Sequence, residues 1–270
     1  MTGHVASLAM YDAPGLQSAN DALWSAIAHH LRAAGLDDVP AGLDRTRSLE
    51  EIWDDPNLLL AQACGYPLAT QWRGRLRYVA TPHYKAAGCE GASHRSRIVV
   101  RRDEAAVALP ELRGRRAAVN AENSNTGMNL FRTMAAPLAT DGRFFGSVLI
   151  TGSHHASIRA VAAGEADIAA IDCVTFAHLE REDPLSTRRL RTLAWSPPSP
   201  GLPLVTSAAT SDAGLRILRR AVRQAIRDDA NGASVDALLI AGVDVLRQSR
   251  YDALEKLAAH STRRGYPELK

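Results

Sequence analysis

The chain has 270 residues, 46% of them hydrophobic and 23% charged, with a formal net charge of +3. That length can bury a substantial core, and the balance of apolar and charged residues excludes wholesale disorder. The small net charge is scattered, with no basic stripe interleaved with aromatics, which argues against nucleic acid as a partner, and no run approaches the roughly 18 apolar residues that insertion across a membrane needs.

The N-terminus, Met1-Thr2-Gly3-His4-Val5, shows no basic region followed by a long apolar stretch, and Asp12, Pro14 and Gly15 come soon after. As written, the sequence therefore shows no secretory signal, so either the chain works in the cytoplasm or its signal has been removed. Val5 to Tyr11 reads as a strand, with a turn at Asp12-Ala13-Pro14-Gly15. A helix comes next, with Leu23, Ile27, Leu31 and Ala34 at spacings of three and four, stopped by Gly35. Leu58 to Ala61 is a second strand, and Gly65-Tyr66-Pro67 opens a further turn of helix. Arg75 to Ala80 and Arg97 to Arg101 are predicted strands. Tyr84 falls in the loop after the first of these, and Arg73, Arg75 and Arg77 alternate so as to share one face.

A second series begins with a strand over Arg115 to Asn120 and a helix over Thr126 to Leu138. A strand over Ser147 to Ile150 leads to a helix over Ala156 to Ala163, and a strand over Ala166 to Ile171 to a short helix over Cys173 to Leu179. Alternation of this kind predicts an α/β fold with parallel sheets covered by helices. The Pro-rich stretch from Trp195 to Pro203 is the sharpest compositional break, and the remainder of the chain reads as mainly helical. Cys64, Cys89 and Cys173 are odd in number and contain no C-x-x-C pair, so a disulfide or a structural zinc is poorly supported; they read as buried small thiols. The adjacent pairs His29-His30 and His154-His155 diverge too far on a helix to chelate one metal, and no cofactor is indicated.

In the second series one layout occurs three times: a buried strand, a polar turn, then a helix. The turns are Asn120 to Gly127, Thr151 to His155 and Asp172-Cys173. Parallel strands would bring all three to one sheet edge, where ligands of open α/β sheets bind. The first N–H groups of each helix lack an internal partner and carry partial positive charge. A tetrahedral oxyanion can accept from several of them, and from the hydroxyls of Ser124 and Thr126. His154 adds an imidazole at a second helix start. As an alternative, Cys173 beside Asp172, with His154 nearby, is the one set resembling a nucleophile and its base.

The segments Asn-Ser-Asn-Thr-Gly at 123–127, Thr-Gly-Ser-His at 151–154, Ala-Asp-Ile-Ala-Ala-Ile-Asp at 166–172 and Pro-Gly-Leu-Pro at 200–203 resemble those of the periplasmic phosphonate-binding proteins of ABC transporters. The resemblance runs in order along nearly the whole chain and includes Gln62-Ala63-Cys64-Gly65-Tyr66-Pro67. It implies a type II periplasmic-binding-protein fold: two α/β lobes with mostly parallel sheets, joined by a two-strand hinge and closing on a ligand. Residues 1–101 with 196–270 would form the first lobe and 102–195 the second. The resemblance further implies a non-enzymatic solute-binding protein for a phosphonate, phosphite or phosphate-like oxyanion, partnered by a transporter permease in the periplasm. Ser124, Asn125 and Thr126 would cradle the oxyanion, with Ser153 and His154 beside them. Asp172 would accept from a ligand amine or a protonated oxygen. Tyr11, Gln62 and Tyr84 would contribute from the first lobe. The alternative is a cytoplasmic ligand-sensing or enzyme-like member of the same fold acting on another small anionic metabolite.

Overall fold

A computed structural model describes residues 3–270. Met1 and Thr2, at the head of the stretch read for an export signal, lie outside the described residues. The chain divides into two compact units, residues 1–85 with 200–248 and residues 86–199 with 249–270, so that it passes from one unit to the other three times. Among the described residues, no helix is long and apolar enough to cross a membrane.

The first unit is built on a five-stranded sheet. Val5–Ser7 pairs parallel with Leu58–Gln62, which pairs antiparallel with Leu204–Ser207. That strand pairs antiparallel with Leu76–Tyr84, which in turn pairs antiparallel with Ile240–Asp244. Leu58–Gln62 is buried along its whole length, as the apolar run Leu58 to Ala61 requires, and Gln62 is buried with it. Helix Gln17–Ala33 turns Leu23, Trp24, Ile27, Ala28 and Leu31 into the core, where they meet Leu215, Leu218 and Val222 of helix Asp212–Arg227. Gly35, at φ 87°, ends the first of these helices in the left-handed conformation that suits glycine.

Several sequence expectations change here. Val5–Ser7 is only three residues long, and Tyr11 lies on the short 3₁₀ turn Ala9–Tyr11. The strand expected to stop at Ala80 runs on to Tyr84, so Tyr84 is a strand residue and not a loop residue. Arg75 precedes that strand and pairs with Asp54, while Arg77 pairs with Asp212, so the two do not form one basic face. The mainly helical C-terminal region also supplies two strands, Leu204–Ser207 and Ile240–Asp244.

The second unit has a five-stranded sheet in the order Ser147–Ile150, Arg116–Val119, Ile168–Asp172, Ser96–Arg101, Leu190–Trp195. The first three strands are mutually parallel and the last two pairings are antiparallel. With one parallel pair in the first unit and two in the second, both sheets are mixed. Alternation along the strands divides the side chains between two cores. Ile98, Val100, Ala117, Val119, Ile168 and Ala170 face a cluster containing Phe131, Phe144 and Phe145. Val99, Ala118, Ala169 and Ile171 face another containing Ile158, Val161 and Phe176. Ser147–Ile150, expected to be buried, is the edge strand, and Leu149 and Ile150 are exposed.

The expected first lobe, residues 1–101 with 196–270, loses residues 86–101 and 196–199 to the second unit, and residues 249–270 pack in the second unit as well. Helix Ser249–Arg263 buries Tyr251, Leu254 and Ala258, and Tyr266 and Leu269 complete the Phe131 cluster. The amide of Asn129 donates to the Leu254 carbonyl at 3.1 Å, and the N–H of Phe144 donates to the Lys270 carbonyl at 2.6 Å.

Candidate functional site

The three parallel strands of the second unit end at one sheet edge, and a helical segment starts from each. After Arg116–Val119 the chain turns at Ser124 into a single π-helical turn, Asn125–Asn129, which continues as helix Leu130–Ala135. The wide turn is closed by the N–H of Asn129 donating to the Ser124 carbonyl at 3.0 Å. Ser124 Oγ accepts from the N–H of Gly127 at 3.0 Å. This cap uses a lone pair and leaves the hydroxyl proton available as a donor. Thr126 Oγ1 lies 3.2 Å from His154 Nε2, and its carbonyl accepts from Ser96 Oγ at 2.7 Å. The side chain of Asn125 is engaged on both sides: its amide donates to Ser199 Oγ at 3.0 Å, and its oxygen accepts from Asn129 at 3.3 Å. Glu122, the one carboxylate in this turn, is exposed to solvent.

Ser153 and Asp172 cap the other two helices. Ser153 Oγ accepts from the N–H of Ala156 at 3.1 Å at the start of His154–Ala163, so this helix begins two residues before the expected Ala156. Asp172 Oδ1 accepts from the N–H groups of Val174 and Thr175 at 2.9 and 3.0 Å, at the head of Cys173–Glu182. Its second oxygen forms an ion pair with His94 Nδ1 at 3.1 Å, and both side chains are only 2% exposed. Asp172 is therefore committed to its own helix and to a buried histidine.

Sequence reading missed His94. It sits on a two-residue strand, Ser93–His94, in a polar stretch with no periodicity to mark it. Burial opposes charge on both partners, but their mutual attraction outweighs it: His94 is raised above the usual imidazole value and Asp172 is held well below the usual carboxylate range. His154 behaves differently. Burial lowers its pKa to about 4, so at neutral pH it is an uncharged imidazole beside Thr126. His178, 3% exposed, is also lowered by burial to about 4. The thiol of Cys173 is pushed up by the neighbouring sulfur of Cys89 and by burial, so the alternative nucleophile set has no ready thiolate.

These shifts predict a pH dependence. His154 and His178 have folded pKa values below the unfolded value near 6.5, so below that pH the unfolded chain binds protons that the folded chain refuses. Stability should fall as pH drops from 6.5 towards 4, by about 3 kcal/mol for each and about 6 kcal/mol for the two together. His94 has the opposite sign. Its contribution is full below 6.5 and is lost as pH rises through its folded value, so it adds nothing to the acid loss. Urea midpoints measured at intervals across this window check the prediction; a flat profile would contradict it.

In the first unit, Tyr11, Gln62 and Tyr84 lie together. Gln62 Nε2 donates to the Tyr84 hydroxyl at 2.9 Å, and the rings of Tyr11 and Tyr84 meet edge to face with centroids 5.2 Å apart. Asn20 holds the Tyr11 carbonyl at 2.8 Å. All four residues border a cavity of about 30 Å³, walled by Leu23, Val222 and other apolar side chains. That volume suits a single water rather than a phosphonate.

The second unit thus sets a hydroxyl-rich turn, a neutral imidazole and a buried histidine–aspartate pair at the carboxyl edge of a sheet. The chain superposes on PhnD1 from Prochlorococcus marinus in complex with methylphosphonate with a TM-score of 0.76, at 14% identity over 96% of this chain and 98% of that one. The binding-protein component of an ABC phosphonate transporter from Pseudomonas aeruginosa gives 0.75, at 17% identity over 97% and 88% of the two chains. A Xanthomonas citri protein bound to ATP gives 0.71, at 17% identity over 96% of each. At such identities the likeness shows the fold alone: the type II periplasmic-binding architecture. No curated protein sequence matches the chain. Residues 57–251, well over half of the chain, match the family described as ABC transporter, phosphonate, periplasmic substrate-binding protein, and the chain belongs to that family of solute-binding proteins.

Proposed function

We propose that this protein captures a small tetrahedral oxyanion of the phosphonate type at the Ser124–Gly127 turn and delivers it to a transporter permease, without chemical turnover. The observation that carries the reading is the turn itself: a capped helical start with Ser124 and Thr126 hydroxyls and the His154 imidazole within 3.2 Å of Thr126. Amides of a first helical turn and neutral hydroxyl donors stabilise an anion without burying a competing charge. The amide oxygen of Asn125 is taken up by Asn129, and the carboxylate of Glu122 is solvated. In this reading Asn125 contributes through its backbone, Ser153 stands at the neighbouring helix start, and Asp172 acts through His94 rather than on the ligand.

The test is calorimetric titration with methylphosphonate, phosphite, phosphate and sulfate. Saturable binding of methylphosphonate, unchanged chemically on recovery, is the expected result; no binding of any of the four, or release of a product, would refute it. Thr126→Ala removes one hydroxyl donor and the partner of His154, and should weaken methylphosphonate binding by about 1–2 kcal/mol, or roughly tenfold. The same titration reads this effect, and unchanged affinity would take Thr126 out of the site.

A further inference from the structure

The sulfurs of Cys89 and Cys173 lie 3.4 Å apart although 84 residues separate them in sequence. Each is held in place by its own local structure. Cys173 is the first residue of helix Cys173–Glu182 and is 2% exposed. Cys89 is half-buried in a tight turn, with its N–H donating to the Ala86 carbonyl at 3.0 Å. Gly88 lets that turn form: its φ is 95°, and a Cβ there would stand 2.5 Å from the Trp195 ring. The turn therefore lies flat against Trp195 and presents Cys89 to the helix start. Both cysteines belong to the second unit, so their meeting is a property of that unit alone.

We propose that Cys89 and Cys173 form a redox-active dithiol that closes to a disulfide by exchange with a low-molecular-weight disulfide such as oxidised glutathione. The more exposed Cys89 reacts first. Its thiolate attacks one glutathione sulfur, the glutathione S–S bond breaks, one glutathione thiolate leaves, and a mixed disulfide remains on Cys89. Once Cys89 is in the mixed disulfide its thiol no longer pushes up that of Cys173, which gives its proton to a glutathione thiolate and attacks the Cys89 sulfur, expelling the second glutathione as a thiolate that takes a proton from water. Two protein thiols are oxidised and one glutathione disulfide is reduced to two thiols. Closing from 3.4 Å to a bond of about 2.05 Å needs a shift of the exposed turn rather than of the helix. An oxidising compartment such as the bacterial periplasm preserves such bonds. The resulting link would fasten the 86–91 turn to the helix capped by Asp172.

The full-length folded protein is incubated with oxidised glutathione, then unfolded and its thiols titrated. With three cysteines in the chain, the expected thiol count falls from three to one, and a non-reducing peptide map contains a Cys89–Cys173 cross-link. The urea midpoint should rise and return with dithiothreitol. Cys64→Ser should still form the cross-link, with its count falling from two to none. Cys89→Ser, on the exposed turn, should keep the native circular dichroism and form no cross-link. Three surviving thiols, glutathione retained on Cys89, or a bond to Cys64 or to a second copy would each overturn the proposal.

Discussion

Asp172→Ala is expected to cost the protein about 3–5 kcal/mol of folding stability, the typical penalty for removing one partner of a buried ion pair. The carboxylate serves two functions. Capping Val174 and Thr175 is worth about 1 kcal/mol, as for other helix caps. The larger part is His94, 2% exposed, which in the variant must either keep an uncompensated charge or give up its proton. Asp172→Asn separates the two contributions, since its amide oxygen can still cap while the charge is gone. The His94→Gln, Asp172→Asn and double variants form a cycle whose coupling reports the pair directly. Urea unfolding followed by circular dichroism is the measurement. A loss near 1 kcal/mol for Asp172→Ala, about that of the cap alone, would show that the histidine contributes little.

Gly127→Val should leave the protein folded but reduce methylphosphonate affinity by about 3 kcal/mol, or roughly 100-fold. A Cβ on Gly127 would stand 1.7 Å from Asn120 Oδ1, 2.9 Å from its Cγ and 3.2 Å from His154 Cε1. Asn120 is a short side chain and can clear that space only by swinging away, and Oδ1 is already a buried acceptor without a hydrogen bond. The remaining outlets are a shift of the turn or a displacement of His154, and either one breaks the 3.2 Å contact with Thr126. Gly232→Ala is the matched control, because nothing lies within 4 Å of its added Cβ. Calorimetry on both variants, with circular dichroism to confirm folding, checks the expectation. Near-normal affinity in Gly127→Val would mean that the anion sits elsewhere.

The pH profile and the Asp172 variants concern the same neighbourhood from two sides. His154 is neutral near pH 7 because burial outweighs the attraction of Asp172, whereas His94, which pairs with that carboxylate directly, is raised. One carboxylate thus separates two nearby histidines into a charged structural partner and an uncharged hydrogen-bonding one. If the proposed anion binds at the Ser124–Gly127 turn, a neutral imidazole there is a milder ligand than a fixed positive charge.

The sequence by itself determined whatever depends on neighbours along the chain. The uninterrupted apolar runs at 98–100, 117–119 and 168–171 require strands buried on both sheet faces, and Ser124, Ser153 and Asp172 cap helices because each stands just before a helical run. Three strand–turn–helix units in succession were therefore legible, as was their gathering at one sheet edge. Tertiary structure alone decided what joins distant residues. No local pattern brings His94 to Asp172 or Cys89 to Cys173, pairs Ile240–Asp244 with Leu76–Tyr84, or carries residues 249–270 into the second unit. Period and capping act within one element, while those contacts arise only when separate elements pack and exclude water, and there burial, not sequence spacing, sets which imidazole carries a charge.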